Sequence, residues 1–466
     1  MRRSPLVCVS ILSLSLVAIA CSAGNDKGSD STPADSTPVI DSVSPASAHA
    51  GAYVVIAGEH FGSEGVVTFG GVTATLSSWS GTYIGVFVPS GAFPGARDIE
   101  VITPLGSTGF AFTVVLPRAI YVNDDIPPAT GPNSIEALAV AASGWVDDIA
   151  GSPRVQGVNG PGYGGADGGT LALAKSTRRV ITTGFGTLTS WDIEPTTGAL
   201  TSAGTIALGG NYLFGLVVNA DGTRAYVADF DNSRVFGVAI ATNGALSALS
   251  GSPYDAGASA GTARLSFSVD GTRLYASNES TSMGSLHGWD IAVDGSLTPL
   301  AASPYDQPDR TYTFARAPNA DRWYLGNDNY IAAYVPDAEG DLSENVALRE
   351  LMPGNAYLSF DGEGDRLFAL TDATPAPNQA NLHVFDVAAS GELVAIAGSP
   401  FTLTGFPTRP TIVRASADGA FVLLVDTDQA EFHIYSVGGV WFLWEVTGSP
   451  FPLEAASQAS GLAVTF

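Results

Sequence analysis

Residues 219–229 read Asn-Ala-Asp-Gly-Thr-Arg-Ala-Tyr-Val-Ala-Asp, which is an Asp-Gly turn followed by an apolar run. The pair returns at Asp270-Gly271 and at Asp418-Gly419, each time ahead of another apolar run. The first two copies lie about 50 residues apart, a period typical of solenoids and propellers. This pattern predicts a repeat protein before any functional residue is considered.

A second piece, Gly-Ser-Pro followed by an aromatic residue, ends each copy about thirty residues later. It occupies residues 251–254, 398–401 and 448–451. Between the two pieces, each copy predicts an inner strand, a second strand, a third strand with an aromatic residue, and a short fourth strand ending near Ser-Pro. Because Gly (54) and Pro (28) are abundant, and the helical period is absent beyond the first twenty residues, we predict an all-β protein.

Six copies are complete, and the seventh is divided between the two ends of the repeat region. The predicted inner strands of the complete copies are residues 171–174, 214–218, 263–269, 313–317, 356–360 and 411–415. Residues 119–122 open the region as a second strand, and residues 461–466 close it as an inner strand. If these two segments pair, no open edge remains. The sequence therefore predicts a seven-bladed β-propeller over residues 117–466.

The first 21 residues have the features of a bacterial secretion signal. Arg2 and Arg3 precede the apolar residues 6–20, a stretch too short to span a bilayer comfortably. Residues 18–21, Ala-Ile-Ala-Cys, resemble a lipobox, whose cleavage leaves a cysteine for lipid attachment. We predict a lipoprotein modified at Cys21; the alternative is an ordinary signal peptide with a chance cysteine at this position.

Residues 22–37 lack large apolar side chains and are dominated by Ser, Asp, Gly and Pro, as is typical of a flexible tether. The lipid at Cys21 would anchor a monomeric protein in the bacterial cell envelope, at the periplasmic face of the outer membrane or at the cell surface. Acidic residues outnumber basic ones by 45 to 20, giving a net charge of −25. Such a charge repels nucleic acids, so we expect no nucleic-acid partner.

Residues 38–116 contain short strand-like runs separated by Gly and Pro, which predicts an Ig-like β-sandwich. This segment resembles an IPT/TIG domain in residues 40–45 (IDSVSP), 56–58 (IAG), 69–71 (FGG) and 84–89 (IGVFVP). The resemblance implies a spacer or an interaction module without catalytic activity. His49 and His60 are expected on its loops.

The repeat region resembles lactonase-type propellers, the family of 6-phosphogluconolactonase and carboxymuconate-cyclising enzymes. Residues 219–229, with Asn232, Arg234 and residues 242–246 (TNGAL), are the segments most similar to that family. The likeness extends over residues 119–466, but its motifs specify blades rather than an activity. It implies a channel mouth with His, Arg and Glu, where a histidine often precedes the Asp-Gly pair by seven residues.

The positions seven residues before the Asp-Gly pairs hold no histidine; they are Phe214, Ala263 and Thr411. The histidines of the repeat region are instead His287, His383 and His433. Each precedes an aromatic residue by two positions in a predicted third strand. Because equivalent positions in separate blades cannot converge on one substrate, we predict a structural role for them and no general-base or metal chemistry.

Two acidic turns resemble partial calcium loops, at residues 229–232 (DFDN) and at residues 426–428 with Glu431. Both follow a predicted second strand, where Asp and Asn commonly cap a bend, so turn chemistry is the favoured interpretation. The glycine-rich residues 162–169 are not a phosphate loop because neither a helix nor a Lys-Ser/Thr pair follows. We therefore predict no metal and no cofactor.

The candidate ligand-binding residues lie on the predicted inner strands and on the segments that lead into them. They are Tyr163, Asn211, Tyr212, Asp255, Arg264, Asp306, Arg310, Arg316, Asn355, Arg409 and Arg414. Such side chains suit carbohydrates or acidic small molecules through stacking and bidentate hydrogen bonds. Alternatively, the arginines pair with nearby carboxylates and close the channel.

The favoured function is non-enzymatic binding or scaffolding, with glycans or surface proteins as partners. The alternative is a lactonase that uses arginines and carboxylates at the channel mouth to hydrolyse a sugar-acid lactone.

Overall fold

The computed structural model describes residues 37–125, 134–141, 146–155, 169–210, 212–257, 261–278, 284–307, 309, 311–352, 354–372, 379–404, 412–426, 429, 431–437, 443–453 and 458–465. Residues 37–466 form one compact unit. The predicted signal, Cys21 and the tether up to Ser36 lie outside the described residues. The described helices are two short 3-10 turns, Lys175–Thr177 and Val346–Leu348. No helix in these ranges is long and apolar enough to cross a membrane.

The first domain is a sandwich of two sheets, with strand orders β1-β3-β7-β6 and β2-β9-β8-β4-β5. Its strands are β1 (Val39–Ser44), β2 (Ser47–His49), β3 (Tyr53–Glu59), β4 (Val66–Phe69), β5 (Val72–Thr73), β6 (Thr75–Trp79), β7 (Tyr83–Phe87), β8 (Gly95–Thr103) and β9 (Gly106–Val115). Alternate residues of β3 are buried, which places Ile56 beside Phe69 and Phe112 in the core. His60 lies outside the strands, as predicted, but His49 lies on β2 rather than on a loop.

Seven further sheets, or blades, are built from the described strands, each with one strand lining the central channel. These inner strands are β14 (Leu171–Ala174), β18 (Leu213–Val218), β23 (Thr262–Phe267), β28 (Thr313–Arg316), β33 (Ala356–Phe360), β38 (Ile412–Ala415) and β43 (Gln458–Val464). The second strands are β10 (Ala119–Asp125), β15 (Arg179–Gly184), β19 (Arg224–Asp229), β24 (Arg273–Asn278), β29 (Trp323–Gly326), β34 (Arg366–Asp372) and β39 (Phe421–Asp426). Blade 1 contains β10, and blades 2 to 7 begin with β14, β18, β23, β28, β33 and β38.

The third and fourth strands complete each blade toward its outer edge. The third strands are β11 (Ser134–Val140), β16 (Thr187–Ile193), β20 (Arg234–Ile240), β25 (Gly284–Ile291), β30 (Tyr330–Pro336), β35 (Gln379–Val387) and β40 (Glu431–Val437). The fourth strands are β12 (Val146–Asp148), β17 (Leu200–Ala207), β21 (Leu246–Ala248), β26 (Leu297–Pro299), β31 (Leu342–Glu344), β36 (Leu393–Ala395) and β41 (Leu443–Glu445).

A short fifth segment continues the outer edge in six blades and pairs with the third strand, not with the fourth. These segments are β13 (Arg154–Val155), β22 (Tyr254–Asp255), β27 (Tyr305–Gln307), β32 (Glu350–Leu351), β37 (Phe401–Thr404) and β42 (Phe451–Pro452). The Gly-Ser-Pro motif therefore does not end the outer strand. It is the interruption between the two parts of that strand.

Blade 1 closes the ring by combining the two ends of the repeat region, as the sequence predicts. Strand β43 is antiparallel to β10, with Val464 opposite Ile120 and Leu462 opposite Val122. The N–H of Ala119 also donates to the hydroxyl oxygen of Thr465 at 2.8 Å. The pairing leaves no open sheet edge in the ring.

The cores of the propeller lie between neighbouring blades. Ile120 and Leu462 of blade 1, for example, pack in one buried cluster with Phe421, Leu423 and Phe432 of blade 7. Each blade thus buries its two faces against its neighbours, because a single four-stranded sheet cannot cover its own apolar surface.

Tyrosines on second strands link consecutive blades. The hydroxyl of Tyr226 in blade 3 donates to the carbonyl oxygen of Gly295 in blade 4 at 2.6 Å. Gly295 has φ 89° in the turn between β25 and β26, a backbone conformation that favours glycine. The same bond joins three further pairs, Tyr121 to Gly198, Tyr275 to Gly340, and Tyr324 to Gly391.

Candidate functional site

The structure describes about half of the predicted ligand-binding residues. Tyr163, Asn211, Arg310 and Arg409 lie outside the described residues, as does the side chain of Asp306. Asp255 and Asp306 belong to β22 and β27 on the outer edges of blades 3 and 4, rather than to loops. The sequence predicted loops at Asp255 and Asp306 because the Gly-Ser-Pro motif was expected to end the outer strand.

Two of the remaining residues stand immediately before inner strands. Tyr212 precedes β18 and stacks on Phe214, with ring centroids 6.5 Å apart and an interplanar angle of 18°. Asn355 precedes β33 and is half-buried. Both therefore lie at the end of the channel where the inner strands begin, called here the rim.

The inner-strand arginines bind main-chain carbonyl oxygens. Arg264 is 8% exposed, and its Nη2 donates to the carbonyl of Tyr312, just before the next inner strand. Arg316 donates from Nη1 to the carbonyl of Ala317 at 2.8 Å, in the turn that follows its own strand. Burial lowers the pKa of Arg316, and the charge of Asp321 partly opposes that effect. Arg264 and Arg316 thus form hydrogen bonds toward opposite ends of the channel.

Arg414, on the inner strand of blade 7, also donates to a main-chain carbonyl, that of Val413, at 2.8 Å. The guanidinium groups of three separate blades therefore each help to satisfy the backbone of the inner ring.

His287 and His383 are enclosed within their blades. The Nε2 atom of His287 lies 3.1 Å from Nδ2 of Asn278, and that of His383 lies 3.2 Å from Oγ1 of Thr371. Burial lowers the pKa of His287 and that of His383 to about 4 in each case. Both imidazoles are therefore neutral at physiological pH.

His433 has the corresponding position in blade 7. Its Nδ1 atom lies 2.7 Å from Oε1 of Glu445 on the neighbouring β41, and its ring stacks on Tyr435. The three histidines thus occupy third strands of three different blades and have partners within those blades, as the repeat predicts.

The acidic turn at residues 229–232 is held by ion pairing and hydrogen bonds. The carboxylate of Asp229 is fully buried; it accepts from Nε of Arg234 at 2.8 Å and from Nδ2 of Asn232 at 2.9 Å. These partners satisfy the carboxylate in the way that a cation otherwise would. Among the residues that the structure describes, no group of three or more His, Cys, Asp or Glu side chains could hold a metal ion.

A recess of about 1110 Å³ lies between the first domain and the propeller, at the opposite end of the channel from the rim. Strand β2 and the segment 114–118 line it from the first domain. The turns that follow the inner strands of blades 2, 3 and 7 line it from the propeller, through Lys175, Ser176, Ala220, Ala417 and Asp418. Cavities of this size and at domain boundaries commonly hold small ligands.

Lys175 is the only lysine in residues 37–466. It lies in the turn between β14 and β15, where blade 2 lacks the Asp-Gly pair that blades 3, 4, 6 and 7 have at this place. Its side chain is exposed to the recess. The recess walls nevertheless displace part of the water around its ammonium group, and this desolvation lowers the pKa of that group. Sequence analysis missed this site, although the departure from the Asp-Gly pattern was a visible signal.

The two domains touch beside the recess through Arg178. Its Nη1 donates to the carbonyl oxygen of Ser90 at 2.6 Å. Its guanidinium carbon lies 4.3 Å from the centroid of the Phe93 ring. A cation–π contact and a charge-assisted hydrogen bond therefore hold the first domain on this side of the propeller.

Comparison with known proteins identifies the first domain. The model of the IPT/TIG domain matches residues 38–114, so the chain contains an IPT/TIG domain. Cyclomaltodextrin glucanotransferase of Geobacillus stearothermophilus is 40% identical over 79 residues, which is 17% of this chain. The match spans only 11% of that enzyme's length.

Solved propeller structures match the larger part of the chain. The periplasmic gluconolactonase PpgL of Pseudomonas aeruginosa superimposes with a TM-score of 0.58 and 14% identity, covering 75% of this chain and 99% of that one. A Bacteroides uniformis protein with the provisional name 6-phosphogluconolactonase gives a TM-score of 0.59 and 14% identity, covering 74% and 99%. At this identity the comparison establishes a 6-phosphogluconolactonase-like propeller fold.

Proposed function

We propose that this chain is a bacterial lipoprotein, anchored in the cell envelope through Cys21, whose propeller binds glycans or surface proteins without chemical change. The observation that carries the binding role is the placement of the histidines. His287, His383 and His433 lie in three separate blades, each with a partner in its own blade, so no two of them can act on one substrate.

The arginines provide further support for binding rather than hydrolysis. Arg264 and Arg316 donate to main-chain carbonyls at opposite ends of the channel, so these two guanidinium groups do not converge on one substrate. The alternative is a lactonase like the structural relatives from Pseudomonas and Bacteroides, with an active site at the rim.

An activity assay separates the two functions. Residues 37–466 form one compact unit and can be tested as a soluble protein against sugar-acid lactones and on a glycan array. We expect lactone hydrolysis no faster than in buffer, together with saturable glycan or protein binding. Turnover that is lost in an Arg310→Ala/Arg409→Ala variant would establish the lactonase instead.

The anchor is tested separately, in the full-length chain. A bacterial host supplied with an alkyne-tagged fatty acid should label the protein and retain it in the membrane fraction. The Cys21→Ser variant should lose both the label and the membrane retention. Equal labelling of the variant would contradict lipid attachment at this cysteine.

A further inference from the structure

The recess between the two domains is chemically distinct from the rim. We propose that it binds a small organic anion whose carboxylate or phosphate group pairs with the ammonium group of Lys175. The recess lies where the inner strands end and the rim where they begin, so this site is independent of any ligand bound at the rim.

The first reason is the unsatisfied charge of Lys175. Within the described part of the chain, its ammonium group has no hydrogen bond or ion pair, and no carboxylate offsets the effect of its burial. The carboxylate of Glu194, in the turn that contributes Thr196 and Thr197 to the recess, accepts from the hydroxyls of these two residues at 2.6 Å and 2.7 Å. The side chain of Lys175 is exposed to the recess, and its ammonium group is partly desolvated by the recess walls, so an incoming anion would supply the missing opposite charge.

The second reason is the overall charge of the protein. With a net charge of −25, most of the surface repels anions, so an anion site requires a local cation. The recess supplies one in Lys175 and a second in Arg118, which lies 3.9 Å from the carboxylate of Asp418.

The third reason is the character of the walls. Ala48, Leu116 and Val140 present apolar surface, while Ser47 presents a hydroxyl group. A volume of about 1110 Å³ is close to that of typical small-molecule sites. An organic acid or a phosphorylated metabolite has both the charge and the size that this lining suits.

Because Lys175 is the only lysine in residues 37–466, it can be observed without ambiguity. Reductive methylation with ¹³C-formaldehyde gives this soluble protein two labelled amines, that of Lys175 and the N-terminal amine. Glucuronate, inorganic phosphate and neutral glucose serve as probes. We expect the Lys175 resonance to shift saturably with glucuronate, phosphate or both, but not with glucose, and its pKa to rise in the anion-bound state.

Substitution tests the role of the charge. The affinity for glucuronate or phosphate, measured from the resonances of the ligand, should fall about ten- to a hundredfold in Lys175→Gln, as expected for the loss of one charge-assisted hydrogen bond. Lys175→Arg keeps the positive charge and should retain most of the affinity. Arg154→Gln removes the same charge from the outer edge of blade 1, and its affinity should remain within about twofold of the parent protein.

Three results would overturn the proposal. They are the absence of a saturable shift with either anion, an unchanged affinity in Lys175→Gln, and an equal shift with glucose. The relative response to glucuronate and phosphate tells which anionic group the recess prefers.

Discussion

The hydroxyl oxygen of Ser252 lies 3.0 Å from the backbone nitrogen of Gly237 and accepts its N–H. This bond fills the gap between β21 and β22, where the main chain of the outer strand turns away from β20. Ser152, Ser303, Ser399 and Ser449 accept the equivalent N–H in four other blades. The Gly-Ser-Pro motif therefore replaces one rung of a strand ladder with a side-chain hydroxyl.

Replacing this serine should destabilise the propeller locally. We expect Ser252→Ala to lower the free energy of unfolding by about 1 kcal/mol, since the N–H of Gly237 loses its acceptor. Urea denaturation followed by tryptophan fluorescence measures the change. Ser250→Ala, which removes an exposed hydroxyl from the same turn, should have little effect, and equal stability of the two variants would refute this role of the motif.

The bond from Tyr226 to the carbonyl of Gly295 should stabilise the contact between blades 3 and 4. Tyr226→Phe keeps the buried ring and removes only the hydroxyl, so we expect a loss of about 1–2 kcal/mol in the free energy of unfolding. Denaturant titration measures it. Tyr53→Phe is a suitable control because the Tyr53 hydroxyl binds only the exposed hydroxyl of Tyr83 among the bonds described for it. An equal loss in both variants would contradict the inter-blade role.

The buried histidines should make the propeller sensitive to acid. Because the pKa of His287 and of His383 is lowered to about 4 in the folded state, the unfolded chain binds protons first, near its ordinary pKa of about 6.5. Their stabilising contribution is thus complete above pH 6.5 and is lost as the pH falls toward 4. At pH 4.5 the cost should be roughly 2.5 kcal/mol for each histidine.

Urea denaturation at pH 7.5 and pH 4.5 measures this dependence. The His287→Gln/His383→Gln variant should lose less stability between the two pH values than the parent protein does. His60→Gln, at an exposed position of the IPT/TIG domain, should leave the dependence unchanged. A parallel pH profile for all three proteins would exclude the histidines as its origin.

The C-terminal strand should be essential for a closed propeller. Leu462 is 3% exposed in β43, and Leu462→Ala should reduce the free energy of unfolding by about 2–4 kcal/mol. Deletion of residues 458–466 removes the whole strand and exposes the edge of β10, so we expect aggregation or loss of cooperative unfolding. Size-exclusion chromatography and thermal denaturation measure both effects.

Deletion of Phe466 alone is the matched control, because it leaves every residue of β43 in place. A protein that lacks residues 458–466 and still unfolds cooperatively as a monomer would show that ring closure is dispensable.

Sequence by itself determined the repeat architecture. The Asp-Gly and Gly-Ser-Pro motifs and the apolar runs between them depend on turn chemistry and on strand periodicity, which act over a few residues. The divided seventh copy also followed from the sequence, because only pairing of residues 119–122 with residues 461–466 leaves the ring without an open edge.

Tertiary structure alone decided what the outer edges and the domain boundary look like. Asp255 and Asp306 lie on outer strands because Ser252 and Ser303 bridge the interruption, a contact between residues 15 apart that strand periodicity does not encode. The recess around Lys175 gathers segments from residue 47 to residue 465, which meet only when the IPT/TIG domain docks on the propeller. A site assembled from such distant residues depends on packing and charge across the interface, and local sequence patterns carry neither.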